Sequence, residues 1–113
     1  MTTLLLLNFL EKEKIMSVYV IAEIPLSEQG AKDVIEWTTS DDGYVITRAH
    51  AGFELIQTLL AEDNKTVYLY EKWASKEEHQ AYLNMRVEGG LMDFLGPLLE
   101  SDFKVTYFNE VPS

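Results

Sequence analysis

The hydrophobic period of the chain switches between two residues and about 3.6, and the order of those switches is what most restricts its fold. Ser17–Ile24 alternates Val18, Val20, Ala22 and Ile24 with Tyr19, Ile21 and Glu23, the pattern of a strand, and Pro25 ends it. Ser27 is placed to cap a helix in which Ala31, Val34, Ile35 and Thr38 share one face. Asp41-Asp42-Gly43 interrupts that helix, Tyr44–His50 forms a second short helical piece, and Gly52 suits the start of a strand. Phe53–Leu60 is apolar on both faces and Thr66–Trp73 is rich in β-formers; the polar turn Ala61–Lys65 makes them an antiparallel hairpin. Ser75-Lys76-Glu77-Glu78 reads as a capping box, serine bonding forward and Glu78 back, so a helix starts at Lys76 and runs to about Val87. Glu88-Gly89-Gly90 breaks it, Leu91–Leu99 resumes helical spacing, and Phe103–Glu110 alternates as a closing strand. The order β-α-β-β-α-β predicts a ferredoxin-like α+β sandwich on an antiparallel sheet.

A chain of 113 residues with no internal repeat or linker is one domain, and 47% hydrophobic against 25% charged residues makes it an ordinary soluble globule. Its net charge of −10 repels phosphate backbones and anionic lipid, so nucleic acid and membrane are excluded as partners. Without cysteine there is no disulfide, thiolate metal site or cysteine nucleophile, and two histidines argue against a multi-histidine metal centre. The apolar run Leu4–Leu10 is too short to cross a bilayer, and no basic residue precedes it as a secretory signal requires. The expected location is therefore cytoplasmic. Residues 1–15 read as an extension, or a start assigned too early, before a domain spanning 16–113. Two glutamates and two lysines cancel within the extension, so the acidity belongs to the domain.

A helical wheel over 76–87 gathers His79, Tyr82, Leu83 and Arg86 in one sector and puts Glu77, Gln80, Ala81 and Asn84 opposite. If that sector packs on the sheet, an imidazole, a phenol and a guanidinium are buried and need partners. Taken singly, each has a plain structural role: Tyr82 and Leu83 as core, His79 at the helix rim, Arg86 paired with Glu71. Taken together with Trp73 and Tyr70 on the preceding strand, they form an aromatic-lined pocket. Trp37 and Tyr68 belong to a core or interface, Met85 and Met92 fill packing gaps, and His50 lies in a loop. There is no phosphate-binding glycine loop, serine elbow or His-Glu-x-x-His zinc helix.

The strand VYLYEKW at 67–73, running into ASKEEHQAYLNMRVEGG at 74–90, resembles the antibiotic biosynthesis monooxygenase family, and within it the small quinol monooxygenases. TRAHAGFELI at 47–56 and KVTYFNEV at 104–111 extend the resemblance over nearly the whole domain. It implies a dimeric α+β barrel, a homodimer whose sheets meet face to face, with Phe53, Leu55, Leu59, Tyr68 and Tyr70 as interface candidates. It also implies oxidation of a quinol or related phenol by molecular oxygen with no cofactor and no metal. On that pattern His79, Tyr82 and Arg86 are catalytic: His79 as base, Arg86 stabilising the phenolate, Tyr82 holding the substrate. Trp73, Tyr70, Glu71 and His50 contact the substrate, with His50 a second candidate base. Many relatives carry a histidine nine positions after the strand tryptophan, where this chain has Tyr82. Haem-degrading relatives carry an asparagine on the first strand, and Ser17–Ile24 has none, which argues against haem turnover. Two other readings use the same scaffold: a non-oxidative, isomerase-type enzyme, and a non-catalytic ligand-binding dimer.

Overall fold

The computed structural model describes residues 17–112, so the expected extension at 1–15 lies outside the described residues. Four strands, β1 (Val18–Pro25), β2 (Phe53–Leu60), β3 (Thr66–Trp73) and β4 (Lys104–Asn109), form one sheet in the order β2-β3-β1-β4, each neighbouring pair antiparallel. Helices α1 (Glu28–Thr38), α2 (Tyr44–Ala49), α3 (Lys76–Glu88) and α4 (Leu91–Leu95), the last followed by a 3₁₀ turn at Gly96–Leu98, complete the ferredoxin-like α+β fold.

Period two sorts the strands into two faces. The register pairs Val18 with Trp73, Val20 with Glu71, Ala22 with Leu69 and Ile24 with Val67, and these side chains form the inner face under the helices. Ala31 and Val34 of α1, with Leu26 and Leu95, close over its Ile24–Val67 end. Tyr82 of α3 closes over the Val18–Val20–Trp73 end. Burying a side chain such as Val34 contributes roughly 1.5–3 kcal/mol, so the two clusters hold the helices to the sheet.

Tyr19, Ile21, Tyr68, Tyr70 and Lys72 point the other way, and the rings of Tyr19 and Tyr70 lie 6.0 Å apart on that outer face. Tyr70, expected at the pocket, is thus separated from it by the thickness of the sheet. Phe53 needs the opposite correction. Simple alternation puts it beside Leu55, but an irregularity between them pairs Phe53 with Trp73 and Leu55 with Lys72, which sends the two to different faces. Phe53 therefore packs edge-on against Trp73, with ring centroids 5.6 Å apart.

Both expected serine N-caps form, but the return bond expected from the Glu78 side chain to the Ser75 N–H does not. Ser27 Oγ accepts from Gly30 N at 3.0 Å, and Ser75 Oγ accepts from Glu78 N at 3.1 Å. The Glu78 carboxylate lies over Gly52, whose φ of +87° and lack of a side chain make room for it. Met85 and Met92 are exposed rather than packing into gaps, because α3 and α4 turn those positions to the surface.

The α1–α2 connection depends on Gly43. A Cβ there would stand 2.3 Å from Trp37 O and 2.4 Å from Thr38 O, so the chain can fold back on the end of α1 only without a side chain. Gly43→Ala is expected to destabilise the protein by about 2 kcal/mol or more, whereas Gly96→Ala, which meets nothing within 4 Å, leaves the denaturation midpoint unchanged or raised. Equal midpoints for the two variants would show that the connection shifts freely.

Candidate active site

The buried residues of α3 are His79, Tyr82 and Arg86, spaced three and four apart so that they form one stripe facing the sheet. All three are at least 92% buried, so the helix puts a polar row where an amphipathic helix normally puts leucines. Each member finds a partner, and no buried side-chain N or O among the described residues lacks one.

Arg86 does not pair with Glu71. Its Nη1 donates to Asp42 O at 2.7 Å, Nη2 to Gly43 O at 2.7 Å and Thr47 Oγ1 at 3.0 Å, and Nε to Tyr82 OH at 2.9 Å. The guanidinium thus binds the α1–α2 connection to α3, and a 2.7 Å hydrogen bond between Thr47 Oγ1 and Tyr82 OH closes the ring of contacts. Such a planar fork cannot be replaced by an ammonium. Tyr82, with its hydroxyl engaged, offers the remaining space its ring.

Glu71 and His79 make up the second half of the site. Glu71 Oε1 accepts from Trp73 Nε1 at 2.9 Å and lies 3.8 Å from His79 Nε2, too far for a hydrogen bond. Nδ1 of His79 is 2.7 Å from Tyr107 OH. Burial pushes the Glu71 carboxyl up to about 7, the Trp73 bond opposing it in part, and pushes the His79 imidazole down to about 4. Between those values both groups are neutral, so the pair is an acid and a base held apart rather than a buried ion pair.

These groups border a small cavity between sheet and helices, about 50 Å³ as reached by the centres of water molecules. Glu71, His79 and Tyr82 line it, with the apolar side chains of Ile24, Val34, Ile56, Leu69, Phe94 and Val105 around them. Of the other expected site residues, Trp73 is fully buried behind Glu71, and Arg86 faces an outer cleft beside Trp37 and Met85. His50 leans edge-on against Tyr82 and Trp73, at 5.5 and 6.0 Å between centroids, without lining the cavity. Tyr70 is on the far face of the sheet.

Tyr44, Trp37 and Tyr107 were not expected here. Tyr44 lines the cavity at the start of α2, hydrogen-bonds Thr58, and has its hydroxyl pushed up to about 12, chiefly by burial. Trp37 stacks on Phe94 at 5.6 Å and carries the Arg86 guanidinium 5.2 Å from its ring centre. The alternation of the closing strand already put Tyr107 on the side of Val105, which was the available signal for it.

The sheet order and the helices packed on its inner face define a ferredoxin-like α+β fold with a cavity between the two layers. Solved structures share this fold. A monooxygenase from the gene ActVA-Orf6 of Streptomyces coelicolor, in complex with the ligand nanaomycin D, superposes with a TM-score of 0.70 at 18% identity, covering 88% of this chain and 91% of that one. SnoaB, a cofactor-independent oxygenase from Streptomyces nogalater, gives 0.66 at 13% identity, over 87% and 96% of the two chains. Rv0793 from Mycobacterium tuberculosis gives 0.64 at 21% identity, over 86% and 97%. The fold expected from the sequence resemblance is therefore the fold observed. No family model and no curated protein sequence matches the chain.

The two perturbed groups shape stability in opposite directions. Glu71 has a folded pKa raised from 4.5 to about 7, so its favourable contribution is complete below its unfolded value and is lost as pH rises through 7. His79 is lowered from 6.5 to about 4, so its contribution is complete above 6.5 and is lost as pH falls through 4. Each is worth about 3 kcal/mol at the extreme. Urea midpoints for Glu71→Gln are expected to fall less than wild type between about pH 5 and about pH 8. Parallel curves would show Glu71 to be ionised throughout.

Proposed function

We propose that the protein is a cofactor-independent monooxygenase that oxidises a quinol or related phenol with molecular oxygen. The observation that carries this reading is the largely apolar cavity bordered by an imidazole and a carboxyl, whose charged forms burial disfavours. The fold shared with a monooxygenase and a cofactor-independent oxygenase supports it.

The chemistry closes without an external reductant. A hydroquinone and O₂ give a hydroxyquinone and water: one oxygen atom enters the ring, the other leaves as water, and all four electrons come from the substrate. The protein has to hold a flat aromatic away from bulk water, take a phenolic proton so that the anion can pass an electron to O₂, and protonate the departing oxygen. His79 Nε2, unprotonated near neutral pH, is the base. Glu71, still protonated in part near pH 7, is the acid, and Trp73 orients it. Tyr82 walls the cavity, and Arg86 acts through Tyr82 and the α1–α2 connection rather than on the phenolate. His50, the other base expected from the sequence, packs against Tyr82 without lining the cavity, which favours His79 in that role.

Oxygen consumption with a panel of hydroquinones and polycyclic phenols tests the reading. The wild type is expected to exceed the spontaneous rate for at least one of them, and to label its product from ¹⁸O₂. His79→Gln should lose about a hundredfold in kcat. Uptake at the spontaneous rate across the panel refutes the proposal, and turnover that persists under strict anaerobiosis selects the isomerase-type alternative.

A homodimer is part of the same proposal. The outer sheet face carries Leu55, Leu59 and Phe108, between 37% and 50% exposed, together with Ile21, Tyr68 and Tyr70. A second copy laid sheet to sheet would cover them. Sedimentation should give twice the chain mass for wild type and the single-chain mass for Tyr70→Lys; a monomeric wild type at micromolar concentration overturns it.

A further inference from the structure

His79 faces two regions at once. The imidazole is 2% exposed and lines the interior cavity, where Nε2 looks toward Glu71. Its other nitrogen, Nδ1, is 2.7 Å from the hydroxyl of Tyr107, and that tyrosine does not line the cavity. Tyr107 is half-buried on the inner side of β4 and borders a separate cleft at the surface with Val18, Ser75, Lys76 and Asn109. Nothing but one ring and one hydroxyl separates the two spaces along this line.

We propose that Tyr107 is the proton relay of the site, carrying to the surface cleft the proton that His79 takes from the substrate. This inference rests on the monooxygenase reading for the source of the proton. In the step, Nε2 takes the phenolic proton as Nδ1 gives its own to Tyr107 Oη, and Tyr107 releases its hydroxyl proton to water in the cleft. Every atom ends neutral, apart from the substrate anion left behind and the hydronium released, and the imidazole ends as the other tautomer. Return to the first tautomer comes when Nε2 passes its proton to the reduced oxygen in the cavity, as Tyr107 takes one proton from water in the cleft and gives one to Nδ1.

The surroundings suit a relay better than a store. His79 is hemmed in by Glu71 and Trp73 of β3, Tyr107 of β4 and Tyr82 of its own helix, and burial disfavours the imidazolium, so a proton captured there has to move on. The Tyr107 hydroxyl has its pKa raised, first by burial and then by the Glu71 charge, and so keeps a proton to hand on. Lys76 lies 5.0 Å from the Tyr107 ring centre, with Glu77 also on the cleft, and the lysine charge repels an excess proton into solvent.

Tyr107→Phe removes the hydroxyl and keeps the ring that packs 5.4 Å from His79. In ¹⁵N-labelled protein without substrate, solvent exchange of the His79 ring N–H is expected to slow at least about tenfold in this variant. With an active quinol, kcat is expected to fall about tenfold at unchanged KM, with small diffusible buffers restoring it. If Tyr107→Phe melts early, Tyr107→His supplies a proton-carrying group at the same place and should keep the exchange fast. Unchanged exchange in folded Tyr107→Phe, or slow exchange in folded Tyr107→His, overturns the relay. Slowed exchange in a protein that oxidises no quinol keeps the relay and removes the monooxygenase reading. Quinol turnover that needs His79 but is indifferent to Tyr107 does the reverse.

Discussion

The buried guanidinium of Arg86 is the constraint on which the remaining arrangement hangs. Desolvating a cation is expensive unless its donors are met, and here they are met by two carbonyls and two hydroxyls from three separate pieces of chain. Those partners exist only if α1 ends where it does, Gly43 folds back, and α2 presents Thr47. Once they are in place, Tyr82 has no freedom to rotate, and its ring fixes one wall of the cavity. The charge serves less as a contact with a ligand than as a rivet through the roof.

Electrostatics then follows from depth. Glu71 and His79 sit on facing elements in a space where burial disfavours either charge, with titration ranges pushed past each other so that both are uncharged between about pH 4 and about pH 7. A cavity with that composition has little affinity for a strongly charged molecule, and the −10 net charge outside it discourages anions further. A largely apolar space of this kind favours a neutral guest over a charged one.

Much of this was legible in the residues alone. The element order, both serine caps and the stripe of His79, Tyr82 and Arg86 follow from period and spacing, because those are local properties of the chain. Partner choice was not legible. Arg86 could be expected to seek a carboxylate, and Glu71 was the obvious one, but backbone carbonyls carry no signature in sequence. Tyr70 and Phe53 failed for a related reason: alternation shows which residues share a face, not which face is inner, and a single irregularity in β2 reverses the count beyond it. Tyr107 carried the right parity yet lay 28 residues from His79, and only the fold brings them together.

The two-sidedness of β3 has a consequence for how such a chain can change over time. Val67, Leu69, Glu71 and Trp73 answer to the cavity, while Tyr68, Tyr70 and Lys72 answer to the opposite surface. Substitutions at neighbouring positions are therefore nearly independent experiments, and chemistry can drift without disturbing whatever the outer face meets. Gain or loss of a single residue within the strand is different in kind, since it exchanges the two sets wholesale. Chain length in this strand is frozen while its spelling stays free, and divergence in length is left to the turns around it.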